Sequence, residues 1–385
     1  MRPRNIQFRF GTPNWPPAAM AMRKRVRLFL AEELERGAFK PCINSWMRHD
    51  AEFSARCGER GFLGLTLPTD FGGHGRSALE RHVVCEEMLA AGAPVGLHWI
   101  ADRQSGPQIA RYGTVAIKRK VLPQIASGRC CLGIGMSEPG AGSDLAAVRT
   151  QAERTESGWR LTGTKLWTSN AHKAQYIIVL ARTAPLEKDR HSGLTQFVVD
   201  TSLKGIEVRP FMDLTGATDF CEVVFDGLEV DNDAVLGRPG DGWQIVTSEL
   251  AFERSGPDRF LSTYRLLVDA INDLRDCDDR ASRADIGRMV AQLFALRQMS
   301  AGIAGMIDRG ESPVVEAALA KDLGTALEQA LPETVRVLYQ RAPDGSNGHP
   351  SPLLAAATLA APSFTLRGGT REILRGMIAR ELGLR

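Results

Sequence analysis

The sequence predicts an α+β protein of three parts: an all-helical N-terminal domain, a central antiparallel β-barrel and a C-terminal helical bundle. Apolar residues recur at helical spacing from the N-terminal region to about residue 125. Short apolar runs bounded by turn residues follow to about residue 229, and longer helical stripes return after Gly242. We therefore expect domains at residues 1–129, 130–238 and 239–385.

The N-terminal domain is predicted to be a set of short helices. Val26, Phe29 and Leu30 share one face of a first helix, and a similar stripe ends at Met88 and Leu89. Prolines then interrupt the helical pattern repeatedly, at Pro41, Pro68, Pro94 and Pro107. No single long helix is expected here.

The residue pattern of the central region predicts β-strands. Four segments rich in β-branched and aromatic residues are separated by turn signals and not by long helices: 158–163, 176–180, 195–199 and 220–225. This pattern favours a small antiparallel barrel or sandwich.

The C-terminal region is predicted to be a bundle of longer helices. Apolar residues from Ile286 to Met306 recur at helical spacing, and a second run extends from about Val314 to Leu338. A last segment begins near Gly368-Gly369-Thr370 and has an apolar stripe ending at Ile378.

Composition excludes several classes of function. The 385 residues carry a net charge of +3 without a basic block beyond the first two dozen residues, so a nucleic-acid surface is not expected. The histidines are scattered and no metal is expected, nor does any apolar run reach the ~20 residues of a membrane span. Seven cysteines without a C-x-x-C pair indicate reduced thiols and a cytoplasmic location. Arginines near the N-terminus would suit a transit peptide, but Pro13, Pro16 and Pro17 oppose the required helix.

A glycine-rich loop is the first candidate site. Met136-Ser-Glu-Pro-Gly-Ala-Gly-Ser-Asp144 frees the backbone to expose amides and adds side-chain partners, which suits a pyrophosphate or a carbonyl edge. The same loop is also typical of a turn with a Ser or Asp cap. It is not a dinucleotide-binding fingerprint, because Glu138 stands where the third glycine should be.

A tryptophan beside two hydroxyls is the second candidate. Trp167 could stack on an aromatic ligand while Thr168 or Ser169 hydrogen-bonds to its edge. Alternatively, Trp167 fills the core of the β domain.

These segments together resemble a known family. Met136-Ser-Glu-Pro-Gly-Ala-Gly-Ser-Asp144, Leu161-Thr-Gly-Thr-Lys-Leu-Trp-Thr-Ser-Asn170, Phe225-Asp-Gly-Leu-Glu-Val230 and Leu236-Gly-x-x-Gly-x-Gly-Trp243 follow in the order found in acyl-CoA dehydrogenases. The resemblance extends from about Phe62 to Arg385. It implies FAD held between barrel and bundle, an acyl-CoA substrate, an electron-transfer flavoprotein as electron acceptor, and a homo-oligomer or a heteromer with a homologous subunit.

The resemblance also implies roles for individual residues. Ser143 would lie near both the cofactor and the acyl-CoA, and Ser169 would bond to the N5/O4 edge of the flavin. The residues implied in cofactor binding are Met136, Ser137, Gly142, Ser143, Trp167, Thr168, Ser169, Gly368, Gly369 and Thr370.

The catalytic base is implied at Glu253. Many members of the family carry a carboxylate immediately before Gly-Thr in the C-terminal motif, and this chain has Gly368 there. A minority carry the base before an arginine on a bundle helix, which Glu253-Arg254 matches, with Arg254 near the substrate's CoA end. A carboxylate is needed to remove the α-proton of a thioester. Without the resemblance, Glu253-Arg254 would be interpreted as a solvated helix pair.

Two departures keep other functions open. The family's Arg-x-x-Phe-Gly and Gln-x-x-Gly-Gly-x-Gly motifs, which contribute to FAD across a subunit interface, are poorly matched at 278–287 and 335–345. The leading interpretation is α,β-dehydrogenation of an acyl-CoA to the 2,3-enoyl-CoA. The alternatives are a flavin oxidase or monooxygenase on the same fold, and a non-catalytic partner subunit of a heteromeric dehydrogenase.

Overall fold

The computed structural model describes Phe8, Phe10, Gly11 and residues 15–185, 188–273, 279–339 and 351–384. Its helices are α1 (Pro17–Glu35), α2 (Ala51–Glu59), α3 (Ala78–Ala90), α4 (Gly96–Ile100), α5 (Gly106–Tyr112), α6 (Val115–Ala126), α7 (Gly242–Arg254), α8 (Tyr264–Asp273), α9 (Arg280–Asp308), α10 (Val314–Tyr339), α11 (Ser351–Ala360) and α12 (Arg371–Glu381). Its strands are β1 (Leu132–Gly135), β2 (Gln151–Arg154), β3 (Gly158–Ser169), β4 (Tyr176–Arg182), β5 (Leu194–Asp200), β6 (Ile206–Phe211), β7 (Phe220–Asp231) and β8 (Val235–Leu236).

The order of elements confirms the predicted sequence of helices, strands and helices. The four predicted strand segments lie in β3, β4, β5 and β7, and the two long apolar stripes lie in α9 and α10. The exact domain boundaries at 129/130 and 238/239 stay predictions. The chain separates into two compact units, one formed by the described parts of Met1–His49, Ser77–Val95 and Leu250–Arg385, the other by Asp50–Arg76 and Gly96–Glu249.

The sheet lies in the second unit and is only partly antiparallel. Its strands follow the order β6-β7-β3-β2-β4-β5-β8, and β1 pairs with β4. The expectation of a wholly antiparallel sheet is wrong at β4, which pairs in parallel with β1 and, at one position, with β2. Strand periodicity shows which face a residue takes but not which strand it pairs with. Among the described strands no ladder joins β6 to β8, so a closed barrel stays a prediction.

The continuous apolar runs of β4 and β5 are explained by burial on both faces. Ile177 and Val179 pack with Phe197 and Val199 in one core, whereas Ile178 packs with residues of α5 and α6 in a second core. A strand covered on both sides needs apolar residues at every position, not alternation. The buried strand β4 pairs with β1, the strand that leads into the glycine-rich loop.

The first unit is helical and contains an ionic network centred on the buried carboxylates of Glu86 and Glu87. Arg27 Nε donates to Glu87 Oε2 at 2.8 Å, and Arg297 Nε to Glu86 Oε1 at 2.6 Å, which links α1 and α9 to α3. Arg23 also pairs with Glu86, at 2.7 Å. Because removing one partner would leave a buried charge, these pairs constrain how the three helices pack.

Among the residues described, no helix combines the length and the apolarity that crossing a bilayer requires. The arginines at positions 2, 4 and 9, on which the targeting question rests, lie outside the described residues.

Candidate functional site

The glycine-rich loop and the tryptophan segment are joined directly in the sheet unit. The backbone N–H of Leu166 donates to the carbonyl oxygen of Ser137 at 2.9 Å. The Lys165 ammonium donates to the carbonyl oxygen of Met136 at 3.1 Å. The two segments, which are distant in the sequence, therefore form one structure at the end of β1 and β3.

Glu138 is the anchor of the loop. Its carboxylate accepts hydrogen bonds from the N–H of Arg149 at 2.7 Å and of Thr150 at 2.9 Å, and it pairs with the Lys165 ammonium at 2.7 Å. Burial would raise the pKa of Glu138, but Lys165 and the hydrogen bonds outweigh it and hold the pKa below its ordinary value. Since Lys165 is completely buried, this pair fixes where the loop leaves the sheet.

Trp167 points outward and does not fill the core. The β3–β7 register shifts between Lys165 and Thr168, and Trp167 adopts a φ of +64°, which is rare for a residue other than glycine. This irregularity turns the indole out of the strand's alternation and leaves the residue 55% exposed. Phe211 and Phe220 pack edge-on against it, at centroid distances of 5.1 and 5.5 Å. The core-filling alternative is therefore wrong.

The loop and strand offer unused hydrogen-bonding groups. The Thr168 hydroxyl is buried and has no hydrogen-bond partner among the described residues. A buried unpaired hydroxyl is costly, which is consistent with a ligand completing it. Ser143 is exposed, and a Cβ built on Gly142 would meet no atom within 4 Å. Packing therefore does not demand glycine at position 142, and open space is left beside the loop.

The predicted base lies in the helical unit, next to the C-terminal glycine turn. Glu253 is near the end of α7, and its side chain is 19% exposed. A Cβ built on Gly368 would lie 3.3 Å from Glu253 Oε1. Arg259 Nη2 donates to the same oxygen at 3.3 Å, and Arg259 Nε donates to the Glu253 carbonyl at 3.0 Å. The interpretation of Glu253 as part of a solvated helix pair is therefore wrong.

The turn itself is held by two cations. Arg254 is buried and its Nε donates to the carbonyl oxygen of Gly368 at 2.9 Å. Lys321 on α10 donates from Nζ to the carbonyl oxygen of Gly369 at 2.7 Å and to that of Thr365 at 3.3 Å. Thr370 caps α12 through its hydroxyl. Burial lowers the pKa of Arg254, with Arg259 acting in the same direction and Glu253 opposing it.

The structure thus gathers the predicted residues into one cluster in each unit. Met136, Ser137 and the segment 167–169 meet in the sheet unit, and Glu253, Arg254 and the turn 368–370 meet in the helical unit. Sequence reasoning gave no role to Glu138, Lys165, Arg259 or Lys321. No local signal singles out Lys321 in the sequence, because Asp322 follows it directly and Glu316 lies five residues before it. In the described part of the chain, no group of acidic, histidine and cysteine residues has the arrangement of a metal site.

Comparison with known proteins assigns the chain. Three family models match it: the N-terminal domain of acyl-CoA dehydrogenase at residues 16–129, the middle domain at 133–228 and the C-terminal domain at 240–383. The acyl-CoA dehydrogenase FadE26 of Mycobacterium tuberculosis is 30% identical over 86% of this chain and 87% of its own length. The acyl-CoA dehydrogenase IpdE1 of the same organism is 38% identical over 60% of this chain and 62% of its own.

The alignments with three mycobacterial relatives cover only 45–62% of the relatives' lengths. A solved structure, the Tcur3481-Tcur3483 steroid ACAD, is 28% identical with a TM-score of 0.84, and the match covers 97% of this chain and 99% of that one. The chain belongs to the acyl-CoA dehydrogenase family.

Proposed function

We propose that this protein is an FAD-dependent acyl-CoA dehydrogenase that converts an acyl-CoA thioester to the 2,3-enoyl-CoA and passes the electrons to an electron-transfer flavoprotein. The observation that carries the proposal is the position of the Glu253 carboxylate, 3.3 Å from where a Cβ at Gly368 would be. A carboxylate carried by α7 thus lies beside the position that holds the carboxylate in the family motif, which supports Glu253 as the base.

Glu253 would act as the base. It takes the proton from Cα of the thioester, and the electrons of that C–H bond form the Cα=Cβ double bond. Bound FAD supplies the acceptor for the hydride that leaves Cβ. Arg259 touches both the carboxylate and the backbone of Glu253, so it fixes the direction in which the base points. Arg254 would contribute near the CoA end of the substrate.

The loop cluster fits FAD. The unpaired Thr168 hydroxyl, the outward Trp167 indole and the open space at Gly142 are features that a flat, hydrogen-bonding ligand would occupy. We assign Met136, Ser137, Gly142, Ser143, Trp167, Thr168 and Ser169 to the cofactor, together with the turn Gly368-Gly369-Thr370. Ser143 would also meet the substrate.

Replacing the base tests the proposal. Glu253→Gln should keep FAD but slow its reduction by acyl-CoA by about 10²–10⁴-fold, because an amide cannot accept the proton. The measurement is anaerobic stopped-flow bleaching of the flavin. Glu333→Gln is the matched control, since Glu333 pairs with Arg336 on the exposed face of α10. Near-normal reduction in Glu253→Gln would reject Glu253 as the base.

The substrate and the alternative functions are separated by one titration. The panel should contain straight-chain, branched and steroid-derived acyl-CoAs, the last because a similar structure is named a steroid ACAD. Bleaching by any of them supports the dehydrogenase. The absence of bleaching across the panel would favour a flavin enzyme with a non-CoA substrate. Failure to take up flavin at all would favour a non-catalytic subunit.

The assembly is proposed to be oligomeric, either of one chain or with a homologous second subunit. Two observations support the heteromer. The two family motifs for the distal part of FAD are poorly matched here, and the similar steroid ACAD is named with two designations, Tcur3481-Tcur3483. Mass measurement with flavin quantification distinguishes the forms, since a homo-oligomer should hold one FAD per chain. A cytoplasmic location, proposed from the reduced-thiol interpretation of the cysteines, can be checked by fractionation.

A further inference from the structure

Lys321 is completely buried on α10, and its ammonium group lies against the glycine turn. Among the described residues, the charged groups that act most strongly on it are Glu253 and Arg254 on α7, Arg259 in the turn after α7, and Arg367 before Gly368. Three of these four are guanidinium groups, so the site is unfavourable for another cation unless that cation makes specific contacts. Lys321 makes two such contacts, to the carbonyl oxygens of Gly369 and Thr365.

We propose that Lys321 is a positioning residue of the dehydrogenase: with Arg254, it fixes the peptide groups of Gly368 and Gly369 beside the Glu253 carboxylate. This inference rests on the proposed function, because it assigns the turn to the cofactor site.

The turn needs such a restraint because of its conformation. Gly368 and Gly369 have φ values of +68° and +90°, and consecutive glycines lose more conformational entropy on ordering than any other pair. Charge-assisted hydrogen bonds to both carbonyl oxygens replace the steric restraint that side chains would give. Because the C=O and N–H of a planar trans peptide point in opposite directions, the N–H groups of Gly369 and Thr370 are oriented as well.

Burial and the neighbouring guanidinium groups lower the pKa of Lys321 to about 7, and Glu253 opposes the shift. The ammonium form therefore predominates in acid and is lost as the pH rises through about 7. The hydrogen bonds from Lys321 to the glycine turn should therefore weaken as the pH rises.

Thr325 provides a matched control on the same helix. It is buried one turn further along α10, and its hydroxyl donates to the carbonyl oxygen of Phe364 at 3.5 Å, outside the glycine turn. Lys321→Met removes the hydrogen bonds to Gly369 and Thr365, and Thr325→Val removes the one to Phe364, so only Lys321→Met affects the glycine turn.

The experiment compares the two variants with the wild-type holoprotein. We expect Lys321→Met to raise the FAD Kd of the apoprotein and to lower the rate of flavin reduction by acyl-CoA, each at least tenfold. Thr325→Val should change both less than twofold. Hydrogen exchange of residues 365–371 is the cofactor-free measurement, and it should be at least tenfold faster in Lys321→Met than in Thr325→Val. Equal effects of the two variants on all three measurements would overturn the proposal.

Three further outcomes also decide the test. If Lys321→Met does not fold, Lys321→Gln takes its place in all three measurements, and effects no larger than those of Thr325→Val would overturn the proposal. If no acyl-CoA reduces the wild-type flavin, the proposed function fails. The FAD affinity and the hydrogen exchange of the two variants still test whether Lys321 positions the glycine turn. If the wild type is reduced and both variants behave alike, only the role of Lys321 fails.

Discussion

The buried pair of Lys165 and Glu138 gives the sharpest test of how the glycine-rich loop is held. Lys165→Met would leave the Glu138 carboxylate buried with hydrogen bonds from Arg149 and Thr150 but without the ammonium group that pairs with it directly. Removing one partner of a buried ion pair costs about 3–5 kcal/mol. In a domain of this size about 1 kcal/mol corresponds to about 2–4 °C, so the melting midpoint should fall by about 6–20 °C.

The assay is thermal unfolding of the apoprotein, followed by circular dichroism. Lys120→Met is the control, because Lys120 pairs with Asp200 at a largely exposed site, where the cost should stay below about 1 kcal/mol. The double variant Lys165→Met/Glu138→Gln removes both charges and should recover at least half of the loss. A loss no larger than that of Lys120→Met, or no recovery in the double variant, would refute this account of the loop.

The sign of the pH dependence follows from the lowered pKa of Glu138. A carboxylate whose pKa is depressed by folding stabilises the protein above its ordinary value, here 4.5, and that contribution is lost as the pH falls through the folded value. The difference in melting midpoint between the wild type and Lys165→Met should therefore narrow in acid. A difference that is constant from neutral pH to about pH 3 would contradict the assignment.

Three further substitutions test the site. Trp167→Ala should weaken FAD binding while costing less than about 1 kcal/mol of apoprotein stability, since the residue is 55% exposed; a loss of about 3–5 kcal/mol would indicate a core residue. Thr168→Val should leave the melting of the apoprotein unchanged or raised and weaken FAD binding by about 1–3 kcal/mol, and an unchanged FAD Kd would contradict the role of the hydroxyl. Gly368→Ala should cost about 1–2 kcal/mol for its φ of +68° and also slow flavin reduction, because its Cβ meets Arg259 and Glu253. Gly383→Ala is the control, because Gly383 has a similar φ and a Cβ there would meet open space, so this variant should show the backbone strain alone. Equal rates of flavin reduction in the two variants would contradict the crowding at Gly368.

The sequence predicts where helices and strands lie better than it predicts which strands pair and which way a side chain points. The apolar run of β4 identifies a strand, but its parallel pairing with β1 depends on contacts between residues 44 positions apart, Leu132 with Tyr176, which no local pattern encodes. The outward direction of the Trp167 side chain is likewise not predictable from the sequence, because it follows from a register shift against β7 and not from the alternation of β3. In both cases tertiary contacts decide what periodicity leaves open.

The proposed base, Glu253, illustrates how a motif can be lost while its chemistry is retained. Proton abstraction requires a carboxylate at a point in space, and the chain can supply it from any element that reaches that point. Gly368 leaves room beside the turn, Glu253 reaches it from α7, and Arg259 holds the carboxylate there. Glycine at position 368 also leaves the backbone with more conformational freedom than a residue with a side chain would, so the turn needs another restraint. The hydrogen bonds that Arg254 and Lys321 donate to the carbonyl oxygens of Gly368 and Gly369 provide this restraint. Lys321 lies 47 positions before the glycine turn and meets it only through the fold, so no local pattern of the sequence indicates this contact.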